Sequence, residues 1–151
     1  MKTKKYIFIS IIVLTVAFIW SNSLKVGDDS MNQSNFIKEL VLSFFSKFGI
    51  NLENTFFIDF IRKFAHFFEY FVLGLELALY KNVFYKTSIK ASFIAILIGV
   101  LVGCIDESIQ LIPSLQRSGE VLDALIDCAG VLVAWLVVNC VYKLRNKKIH
   151  N

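Results

Sequence analysis

The sequence predicts an all-α integral membrane protein: a bundle of four transmembrane helices with an amphipathic helix on the extracytoplasmic side. Composition is the first reason. The chain is 56% hydrophobic and 19% charged, with Phe at 15 positions and Pro at 1, where a soluble domain carries about 25% charged residues. Its mean hydropathy is +0.64. Distribution is the second reason: the apolar residues gather in four runs, and the basic residues collect at their ends. The 151 residues suit a single domain spanning 1–151. A disordered chain, a collagen and a disulfide-stapled secreted domain are excluded on the same grounds.

The first run covers about residues 6–20. Lys2, Lys4 and Lys5 precede it, as in a signal peptide, and Ser21 and Ser23 resemble a small-residue cleavage site. Trp20 reads better as an interfacial anchor, which favours a retained span. The second, third and fourth runs cover about 57–80, 91–112 and 121–142. A span needs about 20 apolar residues to cross about 30 Å of hydrocarbon, so the last three suffice and the first is short. Lys81, Lys86 and Lys90 lie between the second and third runs, and Lys143, Arg145, Lys147 and Lys148 follow the fourth. With the amino terminus in the cytoplasm, every basic cluster is cytoplasmic, as the positive-inside rule requires. Both termini are then inside, and the loops at about 21–56 and 113–120 are outside. In the first of these, Phe36, Ile37, Leu40, Val41, Phe44, Phe45 and Phe48 recur at helical spacing. They make an amphipathic helix over about 35–48, either lying on the membrane surface or packed on the bundle as a lid.

The net charge of +4 and pI near 9.0 come from these topology signals, so nucleic-acid binding is not expected. Cys104, Cys128 and Cys140 sit in apolar runs without a CxxC pair or zinc spacing, and read as packed thiols.

The spans hold ionisable residues that cost about 2.5–3.5 kcal/mol each at a helix centre. Span two carries Arg62, Lys63, His66, Glu69, Tyr70 and Glu76; span three carries Asp106, Glu107 and Gln110; span four carries Asp123 and Asp127, with Arg117 just before it. At 3.6 residues per turn, the span-two group through Tyr70 falls within roughly 60° of His66. Asp106 and Gln110 share a face that Gly99 and Gly103 continue as a small-xxx-small pair. Asp123, Asp127 and Gly130 share another. Topology brings these faces to one level in the outer half of the membrane, with Glu76 deeper. A polar cavity open to the exterior is expected there. Arg62, Lys63 and Arg117 face Glu69, Asp106, Glu107, Asp123 and Asp127, so negative charge is in excess. An acid must be protonated or a cation must bind.

The run Arg62-Lys63-Phe-Ala-His66-Phe-Phe-Glu-Tyr70-Phe-Val-Leu73 resembles the K-x-x-H-x-x-x-Y-x-x-L segment of the VanZ-like family. The run Asp106-Glu107-Ser-Ile-Gln110, followed by Pro113, Arg117, Asp123 and Gly130, resembles its D-E-x-x-Q…R…D-x-x-x-N-x-x-G segment. Ser21-Asn22-Ser23 resembles its Ser-rich exit from span one, so the likeness covers most of the chain. Asp127 departs from the pattern, standing where the family has Asn and adding a charge. The resemblance implies a multi-pass protein of the bacterial inner membrane, linked to resistance against teicoplanin and related lipoglycopeptides. It supplies no mechanism.

Three functions are therefore expected in descending order. The first is binding the head group of an envelope lipid or lipid-linked cell-wall precursor, through Arg62, Lys63, Tyr70, Gln110, Arg117, Asp123 and Asp127. The second is an enzyme modifying such a lipid, with His66 as general base and Glu107 or Asp106 as acid or orienting partner. The third is a proton-linked lipid transporter using Glu76, which four short spans build only as a dimer. Homo-oligomers stay open. His66 with Glu69, Glu107, Asp123 or Asp127 offers a mixed nitrogen and oxygen set that could take a divalent cation, but it has no diagnostic metal spacing, so the leading expectation is no metal or other cofactor. No GxSxG elbow, HExxH, P-loop or dinucleotide fingerprint is present.

Overall fold

A computed structural model describes residues 2–25, 36, 39, 40, 43, 47, 55–85, 88–113 and 120–149, without the side chains of 55–59 and 146–149. Four long helices follow one another: α1 (Lys2–Ser23), α2 (Thr55–Tyr85), α3 (Ile89–Gln110) and α4 (Val121–Ile149). Among the described residues there is no strand. The predicted amphipathic helix falls mostly outside the described residues; of those described there, Phe36, Glu39, Leu40 and Ser43 are helical.

Three of the helices, α1, α3 and α4, are long and apolar enough to cross a membrane. Helix α2 misses that criterion because of its charges, and their placement explains how it still belongs in the bundle. His66 and Lys81 are buried, while Phe60, Phe64 and Phe68 are exposed on its outer surface. The polar side chains turn inward and the aromatic ones turn to lipid, the arrangement that intramembrane charge demands. Helix α2 packs against α1, α3 and α4, so a membrane crossed by those three contains α2 as well.

Local chemistry sets the helix ends. Ser88 caps α3 by accepting a hydrogen bond from the Ala91 N–H at 3.2 Å. The same helix ends just before Pro113: the Leu111 N–H donates to Glu107 O at 3.3 Å and the Ile112 N–H to Ile109 O at 3.1 Å. Helix α4 opens with Glu120 O accepting from the Asp123 and Ala124 N–H groups, and with Asp123 in its first turn, where the helix dipole favours negative charge.

The core is a thin apolar seam of Ile19, Tyr70, Leu73, Leu77, Ala95, Val102 and Val131. Helix α2 meets α4 at glycines. A Cβ on Gly130 would stand 2.5 Å from Phe67 O, and one on Gly74 would stand 2.8 Å from the Val131 Cα. Without a hydrophobic drive between helices in lipid, this close backbone approach supplies the association. The seam carries a polar group at each end. At the end where the chain's basic clusters lie, buried Lys81 donates to Asn82 Oδ1 at 3.0 Å and to Asn139 Oδ1 at 3.4 Å. At the opposite end, where α1 and α3 finish and α2 and α4 begin, lies the larger polar cluster.

Candidate functional site

Three helices bring residues to this cluster from their portions toward that end. Helix α2 supplies Arg62, Lys63, His66, Glu69 and Tyr70; α3 supplies Asp106, Glu107 and Gln110; α4 supplies Asp123 and Asp127. Tyr70 and Asp106 are 0% exposed, Asp123 and Asp127 1%, and His66 and Glu107 8%. Burial of that many polar groups requires partners, because each unsatisfied one is costly.

Some partners are found within the protein. The Arg62 guanidinium spans to Asp123 at 3.5 Å and Glu120 at 3.7 Å, joining the start of α2 to the start of α4. Gln110 Nε2 donates to Asp106 Oδ2 at 3.4 Å and to Glu107 Oε1 at 3.2 Å, so one amide holds both neighbouring carboxylates. Glu107 Oε2 accepts the Glu120 N–H at 3.0 Å. Asp106 and Glu107 point about 100° apart on an ideal helix, and Glu107 uses that divergence to reach the entrance of α4. Glu69 Oε1 accepts from Asn22 Nδ2 at 2.9 Å. His66 Nδ1 lies 3.6 Å from Asp127 Oδ1, an ion-pair separation beyond hydrogen-bond length.

Other atoms are buried without a hydrogen-bond partner among the described residues: His66 Nδ1, the Tyr70 hydroxyl, Asp106 Oδ1, Asp123 Oδ1, both Asp127 oxygens and Arg62 Nε. They concentrate around His66 and Asp127. Helix packing at this point is close: a Cβ on Gly103 would meet Asp127 Cβ at 3.3 Å and the Tyr70 ring at 3.5 Å. One ligand atom each from His66, Asp106, Glu107 and Asp127 lies within 4.8 Å of the others.

Of the residues singled out in the sequence, His66, Tyr70, Asp106, Glu107, Gln110, Asp123 and Asp127 are buried together here, and Arg62 sits at the edge. Lys63 is half-buried beside it. Arg117 lies outside the described residues. Glu76 stands apart, accepting from Thr15 Oγ1 of α1 at 2.8 Å. Sequence reasoning missed Asn22, Ser23 and Glu120 as members. Their signal was present: a polar Ser-Asn-Ser triplet ending an apolar run, and an acid flanking Asp123 by three positions.

A family model described as VanZ/LLP1 matches residues 8–142. The chain belongs to the VanZ/LLP1 family. No curated protein and no solved structure gives a match. The matched segment runs from α1 into α4 and so takes in every helix that contributes to the cluster. This VanZ/LLP1 member is a membrane protein whose apolar exterior encloses a polar centre at one end of its bundle.

Proposed function

We propose that this family member binds the head group of an envelope lipid or lipid-linked cell-wall precursor from the outer face of the bacterial inner membrane, and thereby contributes to tolerance of teicoplanin and related lipoglycopeptides. The observation that carries the reading is the gathering of buried, incompletely partnered polar atoms at one end of an apolar bundle. Intramembrane ionisable groups mark ligand paths by default, because membrane insertion selects against them otherwise. Both termini lie in the cytoplasm in this reading, which puts the cluster in the outer half. Lys63 and Arg117 contact phosphate; Tyr70, Gln110, Asp123 and Asp127 contact hydroxyl or amine groups. Arg62, already joined to Asp123, frames the entrance.

An enzymatic reading has its own support in the proximity of His66 to Asp106, Glu107 and Asp127. There His66 is the general base, and Glu107 or Asp106 is the acid. One comparison separates the two. Lipids and wall precursors are profiled by mass spectrometry in cells carrying wild type, Glu107→Gln or empty vector, together with the lipids that co-purify with each protein. Binding predicts one lipid class enriched on both proteins and unchanged cellular profiles. A species made or lost only with wild type establishes the enzyme instead. No enrichment, together with teicoplanin tolerance equal to empty vector, removes both readings.

A further inference from the structure

We infer that His66, Asp106, Glu107 and Asp127 form a binding site for a divalent cation of the zinc or manganese type. The four side chains come from three helices, so no linear spacing announces them. Geometry brings them together, with one ligand atom from each within 4.8 Å of the rest. Two donors on opposite sides of one such ion are separated by about 4.2 Å, twice a metal–ligand bond of about 2.1 Å. Donors at the corners of a tetrahedron stand about 3.4 Å apart, so side chains separated by up to 4.8 Å close by about an ångström on taking up the ion.

A cluster of acids alone would not carry this, since acids also cluster on solvated surfaces. These are not solvated. All four residues are at most 8% exposed. His66 Nδ1, Asp106 Oδ1 and both oxygens of Asp127 have no hydrogen-bond partner among the described residues. Asp127 is the telling member: a carboxylate 1% exposed with neither oxygen hydrogen-bonded, its nearest basic group the His66 ring at 3.6 Å, is costly to bury as it stands. The nearby guanidinium does not relieve it, because Arg62 is engaged with Asp123 and Glu120. A divalent ion would give the orphaned oxygens a partner and cancel most of three carboxylate charges.

The surroundings orient the donors as metal sites require. Gln110 fixes one oxygen of Asp106 and one of Glu107, leaving Asp106 Oδ1 free, and the Glu120 N–H holds Glu107 from the other side. One imidazole nitrogen with several carboxylate oxygens suits Zn²⁺ or Mn²⁺. It suits Ca²⁺ less, which takes oxygen only, and copper(I) less, which seeks sulfur. The inference shares Asp127 with the lipid reading but is read out separately: the ion can be held without a head group, and a head group recognised through the remaining contacts without the ion.

The test uses full-length, tag-free protein in detergent, loaded with Zn²⁺ or Mn²⁺, freed of loose metal by gel filtration and assayed by elemental mass spectrometry. About one ion per chain is expected for wild type and for His150→Ala, which removes the chain's other histidine. His66→Ala and Asp127→Asn should each lower retention about tenfold or more. Since a misfolded variant would lose metal too, Co²⁺ is also titrated onto metal-free wild type, where a visible absorption band with low-symmetry intensity is expected. Zn²⁺ should also raise the melting temperature of wild type, because it binds the folded state. Retention below about a tenth of an ion per chain, with a cobalt spectrum like that of the aqueous ion, overturns the site.

Discussion

Arg62 is two-faced: its side chain is 31% exposed, while its partner Asp123 is 1% exposed. Removing the guanidinium would leave that carboxylate buried beside three others. Arg62→Met should therefore destabilise the protein by roughly 3 kcal/mol, the cost of orphaning a buried charge, and Asp123→Asn in the same chain should restore much of it. Thermal unfolding of both variants in detergent checks this; equal stability of Arg62→Met and wild type would show the pair to be incidental. Helical periodicity alone made most of this site readable. His66 and Tyr70, or Asp123 and Asp127, lie one turn apart, and residues one turn apart must share a face. The pairings were not readable, because periodicity fixes direction and not distance. Nothing in the sequence distinguishes Asp127 from Asp123 as the neighbour of His66, and the partnership of Asn22 with Glu69 crosses a separation of 47 residues.

At the scale of helices, the glycines decide how closely α2, α3 and α4 approach. They also rank the expected damage. Gly130→Ala puts a methyl against backbone, 2.5 Å from Phe67 O and 3.0 Å from Phe71 N, with no flexible group to yield. Gly103→Ala meets side-chain atoms at 3.3 Å or more. Overpacking costs about 1–3 kcal/mol; Gly130→Ala should fall at or above the upper end and Gly103→Ala at the lower. Melting temperatures in the reverse order would contradict the α2–α4 contact. The apolar runs located all four helices because their composition is itself the requirement for crossing lipid. The run announcing α1 was the shortest, and that of α2 carried charges whose common face shows that lipid never meets them. Observed helices also outlast the runs that announce them. Helix α2 reaches Tyr85 and α4 reaches Ile149, since a helix continues after it leaves hydrocarbon, where polar residues serve it equally well.

For the whole molecule, the polar cluster and the Lys81 group occupy opposite ends of one apolar seam. The proposed orientation, which rests on the basic clusters, puts the polar cluster on the outer side. Fusions of a periplasm-active reporter and a cytoplasm-active reporter at residue 149 should give signal only from the cytoplasmic one, and a reporter inserted between residues 113 and 120 only from the other. Reversal of both would put the polar cluster on the inner side and overturn the proposed outward-facing site.

Helix α1 has the least to hold it by packing, with Ile19 and Ser23 its only buried residues. Yet Lys5 donates to Tyr85 at 3.0 Å, Thr15 to Glu76 at 2.8 Å and Asn22 to Glu69 at 2.9 Å. The partners descend along α2 as they ascend along α1, like three rivets along an antiparallel splice. A helix fastened only by greasy contact can slide when the surrounding bilayer thins or thickens; one riveted at both ends and the middle cannot. Mismatch with lipid thickness must then be met by tilting the pair as a unit, which carries Glu69, Tyr70 and His66 with it and keeps the polar centre assembled.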